Sequence, residues 1–186
     1  MGETTKEKLN GIDTEALKQV MGQISKDPSV GKLKFQVTTT WKGTTKTETV
    51  VQGYEIGGRK VKRIHTFVID EPTELLGEDS SGNPQEYLMG AMNACIINTY
   101  VIAAAMKGIK LEKVEMETEG ELDLRGFLGM DKNVIPGYKE LKYRVRLKGN
   151  GTRKQYEEVH QTVVGTSPNY YNISNAIKLN SELILE

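Results

Sequence analysis

Residues 83–108 read NPQEYLMGAMNACIINTYVIAAAMKG, and the twenty positions from Tyr87 to Met106 carry no charged side chain. Asn83-Pro84 predicts where a helix begins, with a capping side chain followed by a proline whose missing N–H costs nothing at the first helical position. Gly108 ends the helix. An element this long and uncharged on every side is either a membrane span, which needs about twenty apolar residues, or the centre of a globular core or dimer interface. Asn93, Asn98, Thr99 and two tyrosines interrupt it, and the chain around it is an ordinary soluble mixture. A buried helix in a soluble protein is the reading that fits, and the rest of the fold must be arranged to cover it.

Upstream, the apolar period changes from helical to two. Leu33, Phe35, Val37, Thr39 and Trp41 share one face of a strand over Lys32–Trp41. Thr44–Val51 and Val61–Ile69 read as further strands, with Gly53 and Gly57-Gly58 as turns, which makes an antiparallel meander. Residues 70–83 form an acidic, glycine- and serine-containing loop. Downstream, Val114, Met116, Thr118, Gly120, Leu122 and Leu124 alternate with Glu115, Glu117, Glu119, Glu121 and Asp123. Leu141, Tyr143, Val145 and Leu147 alternate with Lys142, Arg144, Arg146 and Lys148. Opposite charges facing each other across antiparallel strands stabilise the pairing by about 0.2–1 kcal/mol each. That assigns the basic run to a strand pair rather than to nucleic acid. Thr152–Val164 predicts a second helix, Thr166-Ser167-Pro168 a turn, and Leu179–Leu185 a last strand. The fold class is α+β, with antiparallel strands around a long buried central helix.

Before the strands, Asp13 caps a helix whose Leu17, Val20, Met21 and Ile24 form one apolar stripe, stopped by Asp27-Pro28. Residues 1–30 are therefore an N-terminal helical arm and residues 31–186 the main domain. Met1 to Lys6 contains no apolar run, and Lys6 stands where a myristoylation signal needs Ser or Thr. The charges balance at 25 basic and 25 acidic residues. No basic patch with interleaved aromatics is present. The expectation is a cytoplasmic protein that binds neither nucleic acid nor membrane.

The chain has one cysteine, Cys95, and it lies inside the uncharged helix. One thiol excludes an internal disulfide framework, a CxxC redox motif and a zinc site built on several cysteines. A thiol among apolar residues is an inert core side chain or a buried nucleophile. If it is a nucleophile, a cation must activate it from another element, because the helix dipole fades within the first turn and Cys95 is about three turns in. Arg63, Arg59 and Lys46 are the candidates, with His65 and His160 as further ones.

The run Phe67-Val68-Ile69-Asp70-Glu71-Pro72, then Leu76-Gly77-Glu78-Asp79, then Asn83-Pro84 with Cys95 eleven positions after the proline, resembles the OsmC/Ohr family of osmotically inducible and organic-hydroperoxide-resistance proteins. Gly120–Gly129, containing DLRGFLG, and Pro136-Gly137-Tyr138 resemble one branch of it, and the similarity covers about residues 33–186. The resemblance implies an intertwined homodimer with its active site at the subunit interface. It also implies thiol peroxidase chemistry, in which Cys95 reduces an organic hydroperoxide without metal or organic cofactor. A basic residue such as Arg63 would activate the thiol, paired with an acid. In the family that acid directly follows the proline; here Gln85 stands there and Glu86 comes next. Glu86 is nine residues from Cys95, about half a turn round a regular helix. The family's resolving cysteine precedes a proline after the second helix, where this chain has Ser167-Pro168, so turnover would need an external thiol reductant. The alternative is a non-catalytic dimeric scaffold that holds a small hydrophobic ligand.

Overall fold

The computed structural model describes residues 8–186, and the reading of Met1–Lys6 lies outside them. The chain divides into two compact units, one ending at Gly90 and one running from Ala91 to Glu186.

In the first unit, α1 (Thr14–Lys26) begins where the Asp13 carboxylate accepts the Ala16 N–H at 2.8 Å. Asp27 ends it and caps a 3-10 turn, Pro28–Gly31, through the Ser29 N–H. Ile24 packs over Gly31, but α1 buries no residue completely, and Val20 and Met21 stay exposed. Three strands follow, β1 (Leu33–Gly43), β2 (Lys46–Ile56) and β3 (Arg59–Ile69), in the spatial order β1-β2-β3. Gly57 and Gly58 make the turn, both with positive φ. Gly53 is not a turn: β2 runs past it to Ile56, and the register slips between Val51 and Gly53 as a bulge. With φ at 146°, a Cβ there would lie 2.2 Å from the Val61 carbonyl oxygen, which explains why a glycine signal can sit inside a strand.

Across the sheet, Phe35, Val37, Thr39 and Trp41 stand opposite Tyr54, Val51, Thr49 and Thr47. The Thr39 and Thr49 hydroxyls bond at 2.8 Å. The β1 end of this face is open, with Phe35 64% and Trp41 70% exposed.

The loop after β3 is wound around one carboxylate. Asp70 is buried and accepts the N–H groups of Glu71, Glu78 and Ser80 and the hydroxyls of Ser80 and Thr45, at 2.8–3.2 Å. Burial alone would raise its pKa, but these donors outweigh it and hold the carboxyl down at about 2. The turn is tight enough that a Cβ on Gly77 would lie 1.7 Å from the Glu71 carbonyl oxygen. Next comes α2 (Pro84–Met106), opened by a reciprocal cap in which Asn83 Oδ1 accepts the Glu86 N–H and Glu86 Oε2 accepts the Asn83 N–H. Tyr87 stacks on Phe67 and donates to the Val68 carbonyl, pinning the first turn to β3.

The second unit holds the core. By length and composition α2 could cross a bilayer, yet Met92, Ile96, Tyr100, Ala103 and Ala104 form a buried stripe along it. They pack with Ile109, with Val159 and Val163 of α4 (Arg153–Thr166), and with the inner faces of β4 (Leu111–Glu119) and β5 (Lys142–Gly149). The helix is thus covered along one face rather than all round: Ala91, Ala94, Asn98 and Ile102 remain exposed. The two strands pair antiparallel with Val114 opposite Leu147 and Met116 opposite Val145 inside, and Glu115 opposite Arg146 and Glu117 opposite Arg144 outside. Arg146 bridges Glu115 at 3.1 Å and Glu117 at 2.6 Å, so the charge pattern belongs to the sheet. The connection between them contains a short helix, α3 (Leu124–Phe127), capped by Asp123.

A capping box between Thr152 and Gln155 starts α4, and α5 (Pro168–Ser174) follows it directly. The strand expected at Leu179–Leu185 is not formed. Among the described residues no strand pairs with this segment, and an unpaired extended chain has no ladder to hold it.

Two outcomes follow. Ile96→Ala empties a fully buried site between α2 and α4 and is expected to cost about 2–5 kcal/mol in urea unfolding. Because the Asp70 pKa is depressed, its contribution is present above the ordinary aspartate value of 3.8 and is lost as pH falls through about 2. Melting temperatures between pH 5 and pH 2 should fall for the wild type, and Asp70→Asn should start lower and vary less across that window.

Candidate active site at the Cys95 thiol

The site is built by the junction between two helices. Val163 is anchored in the core, and Ser167, one turn later on the same face, ends α4 by donating its N–H to the Val163 carbonyl at 2.9 Å. Ser167 also opens α5, with Pro168 as the first helical residue. The Ser167 side chain is 1% exposed and its hydroxyl lies 3.5 Å from Cys95 Sγ. Asn169 is the second residue of α5, so its N–H has no partner within that helix. It donates to Cys95 Sγ at 3.5 Å instead. The Asn169 side-chain amide donates to the Ala91 carbonyl at 3.0 Å, one turn before Cys95 on α2, which fixes the junction against the helix.

Cys95 itself is half-buried and unpaired. It differs from an inert core thiol in having a hydroxyl and a backbone N–H aimed at the sulfur. Those are groups that a thiolate, or an oxygen added to the sulfur, can use as hydrogen-bond donors.

The other predicted site residues have different partners. Arg63, on β3, holds its guanidinium over the Tyr54 ring, 5.1 Å from the centroid. Glu86 is occupied in the cap at Asn83. Lys46 is paired with Glu78. His65 stands opposite Val51 in the β2–β3 ladder. His160, on α4, stacks on Tyr100 and its Nδ1 is hydrogen-bonded to the Tyr100 hydroxyl. Burial, with the Tyr143 hydroxyl nearby, pushes the Tyr100 pKa up to about 12. An open cleft of about 750 Å³ beside that pair is lined by Tyr143, Val145, Leu147 and Tyr156 and does not include Cys95.

Sequence reasoning placed Ser167 but missed Asn169, although a Ser-Pro helix start signals free amides in the first turn. Nothing in the spacing links Tyr100 to His160, sixty residues away along the chain.

Residues 77–182 match the family described as OsmC-like protein. The protein YmaD of Bacillus subtilis (strain 168) is 33% identical over 120 residues, covering 63% of this chain and 75% of YmaD. Among solved structures, an OsmC-like protein from Mycoplasma pneumoniae superposes with a TM-score of 0.60 at 14% identity, covering 76% of this chain and 87% of that one. An OsmC-like protein of unknown function from Vibrio cholerae gives 0.51 at 15% identity, covering 74% and 92%. At such identities the structural likeness concerns the fold. The matched span contains Cys95 and the α4–α5 junction that surrounds it, and the chain belongs to the OsmC-like protein family.

Proposed function

We propose that this protein is a thiol-dependent peroxidase that reduces organic hydroperoxides through Cys95, in defence against oxidative stress. The Cys95 sulfur attacks one peroxide oxygen and the O–O bond breaks. The alkoxide leaves as an alcohol after taking a proton, and Cys95 becomes a sulfenic acid. An external thiol then displaces water to give a mixed disulfide, and a second thiol releases Cys95 and carries away the oxidising equivalents. The observation that carries the reading is the pair of polar groups on the sulfur, Ser167 Oγ and Asn169 N–H, each at 3.5 Å. Membership of the OsmC-like family supports a redox role in peroxide resistance.

Arg63 as activating cation and Glu86 as its acid belong to the proposal through the family resemblance. A homodimer and a cytoplasmic setting belong to it as well. Exposed Phe35 and Trp41 and the open Ala91–Ile102 face of α2 support self-association. A single unpaired thiol accords with a reducing compartment. The rival reading is a scaffold that has lost turnover, and serine at position 167 is the feature that favours it.

Consumption of cumene hydroperoxide with a small thiol as reductant decides between them. The wild type should turn over, and Cys95→Ser should lose at least about a hundredfold in rate. Ser167→Cys should form an internal disulfide after one equivalent of hydroperoxide. Equal, slow consumption by wild type and Cys95→Ser would leave the scaffold.

A further inference from the structure

The backbone amide of Asn169 is turned on the Cys95 sulfur, with its nitrogen 3.5 Å away. The amides of α2 around the thiol are committed to the helical ladder, each bonded to the carbonyl four residues back. The Asn169 amide, in the first turn of α5, has no acceptor in its own helix, so a bond to its nitrogen breaks no helical hydrogen bond. A second group points at the same place. Ser167 is 1% exposed, and among the described residues the only partner of its hydroxyl is the same sulfur. A buried hydroxyl committed to a thiol marks a polar site rather than core packing. Two contacts hold the amide there: the Ser167 N–H closes α4 on the Val163 carbonyl, and the Asn169 side chain donates to the Ala91 carbonyl. No residue of α5 is completely buried, so its first turn can shift toward α2 without emptying the core. The chain holds no second thiol that could close a disulfide.

We infer that the Asn169 backbone nitrogen stands in for a resolving thiol: once Cys95 is a sulfenic acid, it closes a sulfur–nitrogen bond to Asn169. The inference rests on the peroxidase reading, which supplies the sulfenic acid by reduction of an organic hydroperoxide. The amide nitrogen attacks the Cys95 sulfur, the S–O bond breaks, and the hydroxyl leaves with the amide proton as water. Sulfur keeps its oxidation level, so the step consumes no further oxidant or reductant. Condensation with a backbone nitrogen is a reversible fate of protein sulfenic acids. An external thiol then attacks the sulfur, the S–N bond breaks and the nitrogen takes back a proton. Cys95 is left in a mixed disulfide, which a second thiol reduces. The cross-link withholds the sulfur from the sulfinic acid step, which is irreversible for most proteins. A chain with one cysteine thereby keeps its oxidised state recoverable until a reductant arrives.

The test is intact-protein mass spectrometry of the wild type after one equivalent of cumene hydroperoxide with no thiol present. A parallel sample holds a sulfenic-acid trap from the start. Without the trap, the expected product has the mass of a single chain less two hydrogens and returns to the starting mass with dithiothreitol. Peptide mapping should join the segment containing Cys95 to the one containing Asn169. Asn169→Pro has no amide hydrogen to lose, so it should lose this species and pass to sulfinic acid, while Ser167→Ala should keep it. A trap adduct at Cys95 in a wild type that, without the trap, passes straight to sulfinic acid would overturn the inference and leave the peroxidase reading standing. Coupling of two chains through Cys95 in place of the lighter single chain would do the same. Loss of the species in Ser167→Ala would assign the bond to the hydroxyl and overturn the inference too. A Cys95 that stays a free thiol with and without the trap would overturn both. If Asn169→Pro fails to fold, the peptide map of the oxidised wild type decides alone.

Discussion

Packing of Ile96, Tyr100 and Ala104 on α2 against Val159 and Val163 on α4 is the contact on which the second unit depends. Each large side chain buried there contributes about 1.5–3 kcal/mol. The same contact sets the chemistry. Cys95 precedes Ile96, so the thiol stands at the edge of the stripe that the core fixes. Ser167 follows Val163 by one turn, so anchoring Val163 brings the end of α4 to the thiol. Pro168 then turns the chain into α5, whose first free amide meets the sulfur. The surroundings of Cys95 follow from the core rather than from a separate loop.

Charge has a different task in each unit. On the β4–β5 pair it lies outside, in cross-strand bridges such as Arg146 to Glu115 and Glu117, where exposed pairs contribute little individually but select the register. A slip of one residue would bring glutamates into the place of Val114 and Met116. In the first unit the informative charge is buried: Asp70 gathers five donors from three segments and converts an acidic loop into a fixed turn ahead of α2. Each carboxylate acts through hydrogen bonds on its ionised form, which is why both Asp70 and the Asp123 cap of α3 are held near 2.

Elements governed by local rules were legible in the sequence. The Asn83-Pro84 start of α2, the helix from Thr152 and the facing acidic and basic strands all follow from spacing, and all are present, whereas α2 is covered along one face and not all round. Where legibility failed, the cause was not local. Gly53 signals a turn in any window, but here it serves a bulge that admits the Val61 carbonyl. The alternation in residues 177–185 is genuine strand patterning, but a strand is defined by its partner, which lies beyond its own segment. At the candidate site, Cys95 could be named as the one cysteine of the chain and Ser167 through the family resemblance. Asn169 was missed because it contributes a backbone amide: the Ser167-Pro168 helix start signals that free amides exist there, but not which group they meet. For Arg63 the Tyr54 ring that holds it was invisible in the spacing, whereas the three-residue step from Asn83 to Glu86 is capping-box spacing and already assigned Glu86 to the helix start.

The central claim is that Cys95 is a reactive thiol and not a core side chain. It is tested most directly by mass spectrometry of the intact protein exposed to a small excess of organic hydroperoxide in the presence of a sulfenic-acid trap. The account predicts one trap adduct per chain, located at Cys95, formed before any over-oxidised species. A Cys95 that remains an unmodified thiol under those conditions, while the protein stays folded, would contradict it.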